Sequence, residues 1–246
     1  MTGIVIDWLD ACASTSSELA ARPDAPAGLV VAARTQTAGR GQRGNSWEAE
    51  PGANLTFSQL LRPAAIRAVR QFELSMIVSL AIADTLDALL AEAGVAQRTA
   101  IKWPNDIYVG DSKICGILIE NTLSGCRIDR SIAGIGININ QTRFVSDAPN
   151  PCSLRQFTGL SYNLEPLLQR FAEAIADALS AYETAPDPAA LNVRYMSRLW
   201  RRSGIWTFAT PDGTRFEAEI IAVDPDGILT LSPDRRFAFK EVAFLL

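Results

Sequence analysis

The sequence predicts an α+β protein: a mixed β-sheet packed against helices, followed by a small all-β module. Three observations carry that reading. Residues 54 to 140 set one long helical pattern among several strand patterns, in an order that is not a regular βαβ series. A second amphipathic pattern follows from Leu164 to Tyr182. After Gly204 the chain changes to short alternating runs divided by Pro211-Asp212-Gly213 and Pro225-Asp226-Gly227 turns. The boundary falls there, giving a main domain over residues 1–203 and a module over 204–246. About forty residues rarely hold a core alone, so the module is expected to pack on the main domain.

Taken in order, Ile4-Val5-Ile6 reads as a strand, Ser14 to Ser17 as a helix cap, and Glu18 to Ala21 as a short helix ended by Pro23. Gly28 to Ala33 and Asn54 to Ser58 are strands, which makes residues 37 to 53 a long loop, and long loops in compact domains are usually functional. From Phe72 to Ala93 the apolar positions Leu74, Ile77, Val78, Ala81, Ile82, Leu86 and Leu89 follow helical spacing, with Gly94 as the stop. Thr99 to Trp103 is a strand cut by Pro104, and Asp106 to Glu120 is a hairpin turning at Gly110-Asp111. Ser131 to Asn140 is a further strand, and a short helix runs to Arg202.

Composition excludes several function classes. The 246 residues carry 23 basic and 27 acidic side chains, a net charge of -4, which argues against duplex binding by the chain as a whole. Histidine is absent, so no imidazole serves as general base, metal ligand or triad member. The four cysteines, Cys12, Cys115, Cys126 and Cys152, are too widely spaced for a CxxC pair and read as buried thiols in a reducing compartment. The start of the chain has two acids and no basic run, unlike a secretory signal, so a cytoplasmic location is expected. The most apolar stretch, Leu74 to Ala83, is bounded by Asp84 and reads as too short to span a membrane, which takes about 20 residues.

Four segments carry chemistry. Residues 35 to 47 place Gly39, Gly41 and Gly44 around Arg40 and Arg43, and no acid occurs from Ala25 to Trp47. Glycine lets backbone N–H groups approach an anion, and arginine offers forked donors, so an anionic ligand is indicated. The loop fits neither the P-loop nor the Rossmann fingerprint. Lys102-Trp103-Pro104-Asn105-Asp106 compresses a cation, an amide and a carboxylate onto a rigid corner, although an Asn-Asp cap of a plain turn uses the same residues. Lys113 stands at the start of a strand that continues through Gly116, where it is either a site cation or merely solvated. Gly134 to Asn140 puts Gly134, Gly136, Asn138 and Asn140 on one strand face, bare enough for a ligand and equally compatible with a bulge or tight sheet packing.

In this order GRGQRGNSW, KWPND, KxxGxLxE (Lys113, Gly116, Leu118, Glu120) and GxGxNxN resemble the catalytic domain of biotin protein ligases, over residues 4 to 140 and on through the C-terminal module. The resemblance implies a class II synthetase-like domain with an SH3-like β-barrel. It implies that biotin and ATP give biotinyl-5'-AMP and pyrophosphate, and that a lysine of a biotin carboxyl carrier protein, of acetyl-CoA carboxylase or another biotin-dependent carboxylase, then takes the biotinyl group. The implied biotin site is Ser14, Thr15, Ser16, Gln36, Arg40, Gly41, Gln42, Lys113, Gly116 and Gly136, with Ser16 where the family usually has asparagine. The implied ATP site is Arg40, Arg43, Trp47, Lys102, Asn105, Asp106 and Asn138, with Mg²⁺ at Asp106. Lys113, Arg40 and Lys102 are the implied catalytic charge stabilisers, which suits a reaction that brings two anions together and needs no histidine. Gln42 and Asn45 replace the arginines commoner in that loop.

The winged helix-turn-helix of many bacterial members is not expected, because the residues ahead of Gly39 already read as strand, helix and strand; specific DNA binding is not expected either. A sheet edge is available for a homodimer. The C-terminal module is expected to support carrier docking and ATP-site closure. The rival readings are a lipoate-type ligase and a catalytically silent biotin-binding protein of the same fold.

Overall fold

Two helices of 21 residues, α2 (Phe72–Glu92) and α4 (Leu164–Thr184), cover one face of a seven-stranded sheet, and the other face carries the functional motifs. The computed structural model describes residues 4–41, 47–145 and 150–245. The strands are β1 (Ile6–Cys12), β2 (Val30–Gln36), β3 (Leu55–Leu61), β4 (Thr99–Lys102), β5 (Asp106–Val109), β6 (Ser112–Ser124) and β7 (Arg127–Ile137). Their order is β1-β2-β3-β7-β6-β5-β4, with β1 and β2 parallel and the remaining neighbours antiparallel.

Helix α2 (Phe72–Glu92) lies between the sheet and the helices α4 (Leu164–Thr184) and α5 (Pro188–Ser197), so it is apolar nearly all round rather than along one stripe. Gly94, at φ 75°, ends it as the sequence indicates. By length and apolar composition α2 does reach what a membrane span requires, contrary to the shorter stretch read from the sequence, but 72% of its most apolar window is buried inside this fold.

On the opposite face α1 (Thr15–Ala20) packs on β2, β3 and β7, where Leu19, Val31, Leu60 and Ile132 form a small second core. Beyond α1 that face is left bare by small residues. Cross-strand pairing aligns Thr56, Gly136, Gly116, Asp106 and Lys102 in one row across five strands, and Ser58, Gly134 and Leu118 in the next. Residues directly opposite in a sheet share a face, so motifs far apart in sequence meet here. The row also depends on a β-bulge. Ile107 pairs with Cys115 but Tyr108 pairs with Lys113, leaving Ile114 as the extra residue. Strict alternation would put Lys113 and Gly116 on opposite faces; the bulge brings both to the same one.

After α5 the chain builds two three-stranded sheets of an SH3-like module: β8 (Trp206–Ala209), β9 (Arg215–Ala218) and β13 (Ala243–Phe244) in one, and β10 (Ile220–Val223), β11 (Leu229–Leu231) and β12 (Arg235–Phe237) in the other. Phe208, Ile220, Leu229 and Val242 belong to the same continuous core as the main sheet, so the module has no separate interior.

Several expectations need correction. The first strand is Ile6–Cys12 rather than 4 to 6, because parallel pairing with β2 extends it past the two aspartates. A short helix α3 (Leu154–Thr158) was not read, although Ser153 and Gln156 form a capping box. Of the four thiols only Cys115 and Cys152 are buried; Cys12 is half-buried and Cys126 exposed.

Candidate active site

A cavity of about 990 Å³ opens on the bare face of the sheet, bounded by the loop after β2, the β4–β5 corner and the C-terminal strand β13. It contacts Ser14, Thr15, Ser16, Gln36, Arg40, Gly41, Trp47, Lys102, Asn105, Asp106, Lys113, Gly116, Gly136 and Asn138, so one site gathers these sequence-predicted residues. Gln42 and Arg43 lie outside the described residues.

One end is made of hydroxyls. The Thr15 backbone N–H donates to Gln36 Oε1 at 2.8 Å, while the Thr15 and Ser16 hydroxyls meet Ser58 Oγ at 2.8 and 2.9 Å. All three hydroxyl side chains are buried. Gly134 is the floor beneath them: a Cβ there would stand 2.6 Å from Ser16 Oγ. Ser58 was missed in the sequence because a serine in a strand core carries no motif, yet it joins the two α1 hydroxyls to the sheet.

The other end is cationic. Lys113 Nζ lies 2.7 Å from Asp106 Oδ1, with both side chains about a fifth exposed (23% and 21%). Its backbone is held on the far side by the 150–152 segment, through Lys113 N–H to Asn150 O and Cys152 N–H to Lys113 O, both 2.8 Å. Lys102 is placed differently. Its Nζ donates to the Tyr108 hydroxyl at 3.0 Å, and burial, helped by Lys113 and Arg201 and opposed by Asp106, pushes its pKa below the usual lysine range. Burial drives the Tyr108 phenol the other way, well above its usual value.

Arg40 and Asn105 are engaged rather than free. The Arg40 guanidinium forks onto Glu120 at 2.9 and 3.3 Å, which gives the glutamate of KxxGxLxE a role: it ties the glycine loop to β6. Asn105 clasps Ile117: its side-chain amide donates to the Ile117 carbonyl, and its backbone carbonyl accepts the Ile117 N–H at 3.0 Å.

Trp47 fills part of the glycine bed that the sequence reading left for a ligand. A Cβ on Gly136 would fall 2.3 Å from the indole and one on Gly116 3.0 Å from it, so both positions need glycine while the ring is there. Lys113 Nζ lies 5.6 Å from the ring centre, within cation–π range. The loop ends are clasped by Trp47 N–H to Gly39 O at 3.0 Å. Two buried polar atoms of cavity residues have no protein partner among the described residues, Trp47 Nε1 and Asn138 Oδ1.

Sequence reasoning missed Tyr108 and the C-terminal contributors Phe239, Val242 and Phe244, and it named Trp103 within KWPND without a role of its own. The Trp103 indole donates to Gly227 O at 3.0 Å and its ring meets Phe239 edge-on at 6.1 Å, so KWPND is also the joint between sheet and C-terminal module.

Comparison with known proteins agrees with this geometry. A family model described as the Biotin/lipoate A/B protein ligase family matches residues 11–138. A biotin–[acetyl-CoA-carboxylase] ligase of Paracoccus denitrificans is 35% identical over 181 residues, covering 70% of this chain and 73% of that protein. The bifunctional ligase/repressor BirA of Bacillus subtilis is 37% identical over 135 residues, which span 55% of this chain and 39% of BirA. The fold matches that of the biotin protein ligase from Aquifex aeolicus in complex with biotin and ATP, with a TM-score of 0.78, 97% of each chain covered and 22% identity. The chain belongs to the biotin/lipoate A/B protein ligase family.

Proposed function

We infer that the chain is an ATP-dependent biotin protein ligase that forms biotinyl-5'-AMP and transfers the biotinyl group to a lysine of a biotin carboxyl carrier protein. One observation in the cavity carries the reading: buried hydroxyls at one end and two lysines at the other, joined by a strand row of glycines. That polarity fits a ligand with a neutral hydrogen-bonding head and an anionic tail. The relatives named above supply its identity as biotin.

The residues divide the chemistry. We assign the neutral ureido head to Ser14, Thr15, Ser16 and Gln36, and the carboxylate to the lysine end. There the biotin carboxylate oxygen attacks the α-phosphorus of ATP and pyrophosphate leaves. Lys113 and Lys102 offset the crowding of negative charge, and Arg40 adds its charge at the rim, where Glu120 holds it. In the second step the carrier lysine attacks the acyl carbon, AMP leaves with the electron pair, and the proton of the lysine goes to solvent. A mixed anhydride must be kept from water until then. We place the nucleotide against Trp47, Asn105 and Asn138.

Asp106 is one carboxylate already paired with Lys113, and no cluster of three metal-ligating side chains occurs among the described residues. That fits Mg²⁺ brought in on the ATP phosphates, which takes one or two protein carboxylates, rather than a resident metal cage. When bound, such an ion neutralises phosphate charge; Asp106 is the residue to hold it.

The net charge of -4 argues against duplex binding, and on that ground we propose that this chain makes no specific DNA complex. A mobility assay at near-physiological salt tests it. For a homodimer the available edge of the seven-stranded sheet is β1, since β4 is bridged by Leu199; sedimentation equilibrium tests pairing. Dependence on ATP and four free thiols accord with a cytoplasmic location.

The deciding experiment is intact-mass analysis of a biotin carboxyl carrier protein incubated with the chain, ATP and either biotin or lipoate. Modification with biotin alone is the expected result. Modification with lipoate alone would make it a lipoate-type ligase, and none with either would leave a silent binder.

A further inference from the structure

Lys102 is held by aromatic rings from three separate parts of the chain. Its Nζ lies 5.0 Å from the centre of the Tyr108 ring on β5, 5.6 Å from Trp200 beyond α5, and 5.9 Å from Phe244 on β13. The Trp200 and Phe244 distances are within the range in which a ring face attracts a cation, while Tyr108 holds the ammonium through its hydroxyl, which accepts from Nζ at 3.0 Å. Among the described residues no carboxylate lies within 4 Å of that ammonium, whereas Lys113 has Asp106 at 2.7 Å. The two cations of the site are therefore held differently: Lys113 by a carboxylate with the Trp47 ring beside it, and Lys102 by a phenol hydroxyl and aromatic rings with no carboxylate within 4 Å among the described residues.

The rings are themselves fixed. Tyr108 and Trp200 stand 5.2 Å apart, Trp200 and Phe244 5.6 Å, and Phe244 and Phe208 4.9 Å, so the contacts run from the cavity into the core of the C-terminal module. Trp200 Nε1 donates to Asp111 at 3.1 Å. The Arg201 guanidinium sits between Trp200 and Trp206, at 4.0 and 4.4 Å, and donates to Leu245 O at 2.6 Å, which pins the strand carrying Phe244.

We propose that Tyr108, Trp200 and Phe244 are positioning residues for Lys102: the Tyr108 hydroxyl and the Trp200 and Phe244 rings hold its ammonium at the phosphate end of the cavity, so that a strand of the C-terminal module sets the geometry of ATP activation. This rests on the ligase reading above. Phe244 acts through Lys102 rather than on the reacting atoms. Packing alone asks only for an apolar side chain of suitable size at 244; holding a cation asks for a ring with an electron-rich face.

The test measures initial rates of pyrophosphate release by the whole chain at saturating biotin and varied ATP. Phe244→Leu keeps an apolar side chain and removes the ring face, and it should lower kcat/KM for ATP about three- to tenfold. Phe244→Tyr should restore most of that loss. Mono-, di- and trifluorophenylalanine at 244 keep the shape and weaken the ring face stepwise, so kcat/KM for ATP should fall stepwise with them, while biotin affinity without ATP stays constant. The fluorinated series decides the matter even if Phe244→Leu does not fold. Rates unchanged within about twofold across that series would overturn the inference. So would equal losses in the Leu and Tyr variants, which would make 244 a packing position. A wild-type chain that releases no pyrophosphate with biotin and ATP would overturn the ligase reading and this inference with it.

Discussion

The hydroxyl end and the lysine end of the cavity are built from contacts of different reach. At the hydroxyl end Thr15, Ser16 and Ser58 bond to one another over Gly134, all within α1 and the sheet it covers. At the lysine end Lys113 needs a bulge in β6 to face the site, and Lys102 needs Trp200 and the C-terminal strand around it. The first region is fixed by local sterics, so it should respond to added volume. The second is fixed by charge and rings drawn from distant parts of the chain, so it should respond to lost charge.

Removing Lys113 should produce the largest effect. Lys113→Ala is expected to slow pyrophosphate release about 10²–10³-fold, the usual loss when one stabiliser of transition-state charge is deleted. Its circular dichroism should match the wild type, because the side chain is not in the core. Near-normal release would show that the lysine end is not where the charge develops.

Gly134→Ala probes the other region. The new methyl group must displace the Ser16 hydroxyl, and overpacking of this kind costs roughly 1–3 kcal/mol. Biotin binding, followed by calorimetry, should weaken about tenfold or more while KM for ATP changes little. If both ligands suffered equally, the two ends would not be separate in function.

A smaller effect separates the two chemical steps by pH. With no histidine in the chain, no imidazole can take the proton of the carrier lysine, whose ordinary pKa is about 10.4. Single-turnover transfer from preformed biotinyl-5'-AMP should rise steadily through the neutral range, without an inflection near ~6.5. A bell-shaped profile would point to a carboxylate base, and Asp106 would be the first to replace.

The smallest expected signal is thiol reactivity, which reports whether the sheet beneath the lysine end is closed. Burial raises the Cys115 thiol far above its usual range and pushes Cys152 up to about 12, so neither is thiolate at neutral pH. Burial, with Glu18 adding to it, also raises Cys12. A colorimetric thiol reagent at neutral pH should titrate Cys126 quickly, Cys12 slowly, and Cys115 and Cys152 only on unfolding. Fast reaction of all four would mean that the sheet opens readily.

How much of this was legible in the sequence follows the same division. The four motifs named residues that the fold gathers into one cavity, and the long helices were readable from their spacing. Pairing that spans five strands was not, since nothing in KWPND or GxGxNxN says that Lys102, Asp106, Gly116 and Gly136 share a row. The spacing of Lys113 and Gly116 was misleading by itself, because three positions along a regular strand place two side chains on opposite faces and only the extra Ile114 reverses that. Phe244 and Trp200 carried no signal, since a lone aromatic in a short strand or loop reads as core. Arg40 was read as a charge stabiliser facing the ligand, and its pairing with Glu120 was not foreseen because Glu120 stood only as a motif letter.

The most direct test of the account is a rapid-quench measurement of pyrophosphate and biotinyl-5'-AMP on mixing the chain with biotin and ATP in the absence of carrier protein. A stoichiometric burst of both products, dependent on biotin and nearly abolished in Lys113→Ala, is the predicted result. Pyrophosphate release that ignores biotin, or a burst that survives the loss of Lys113, would contradict it.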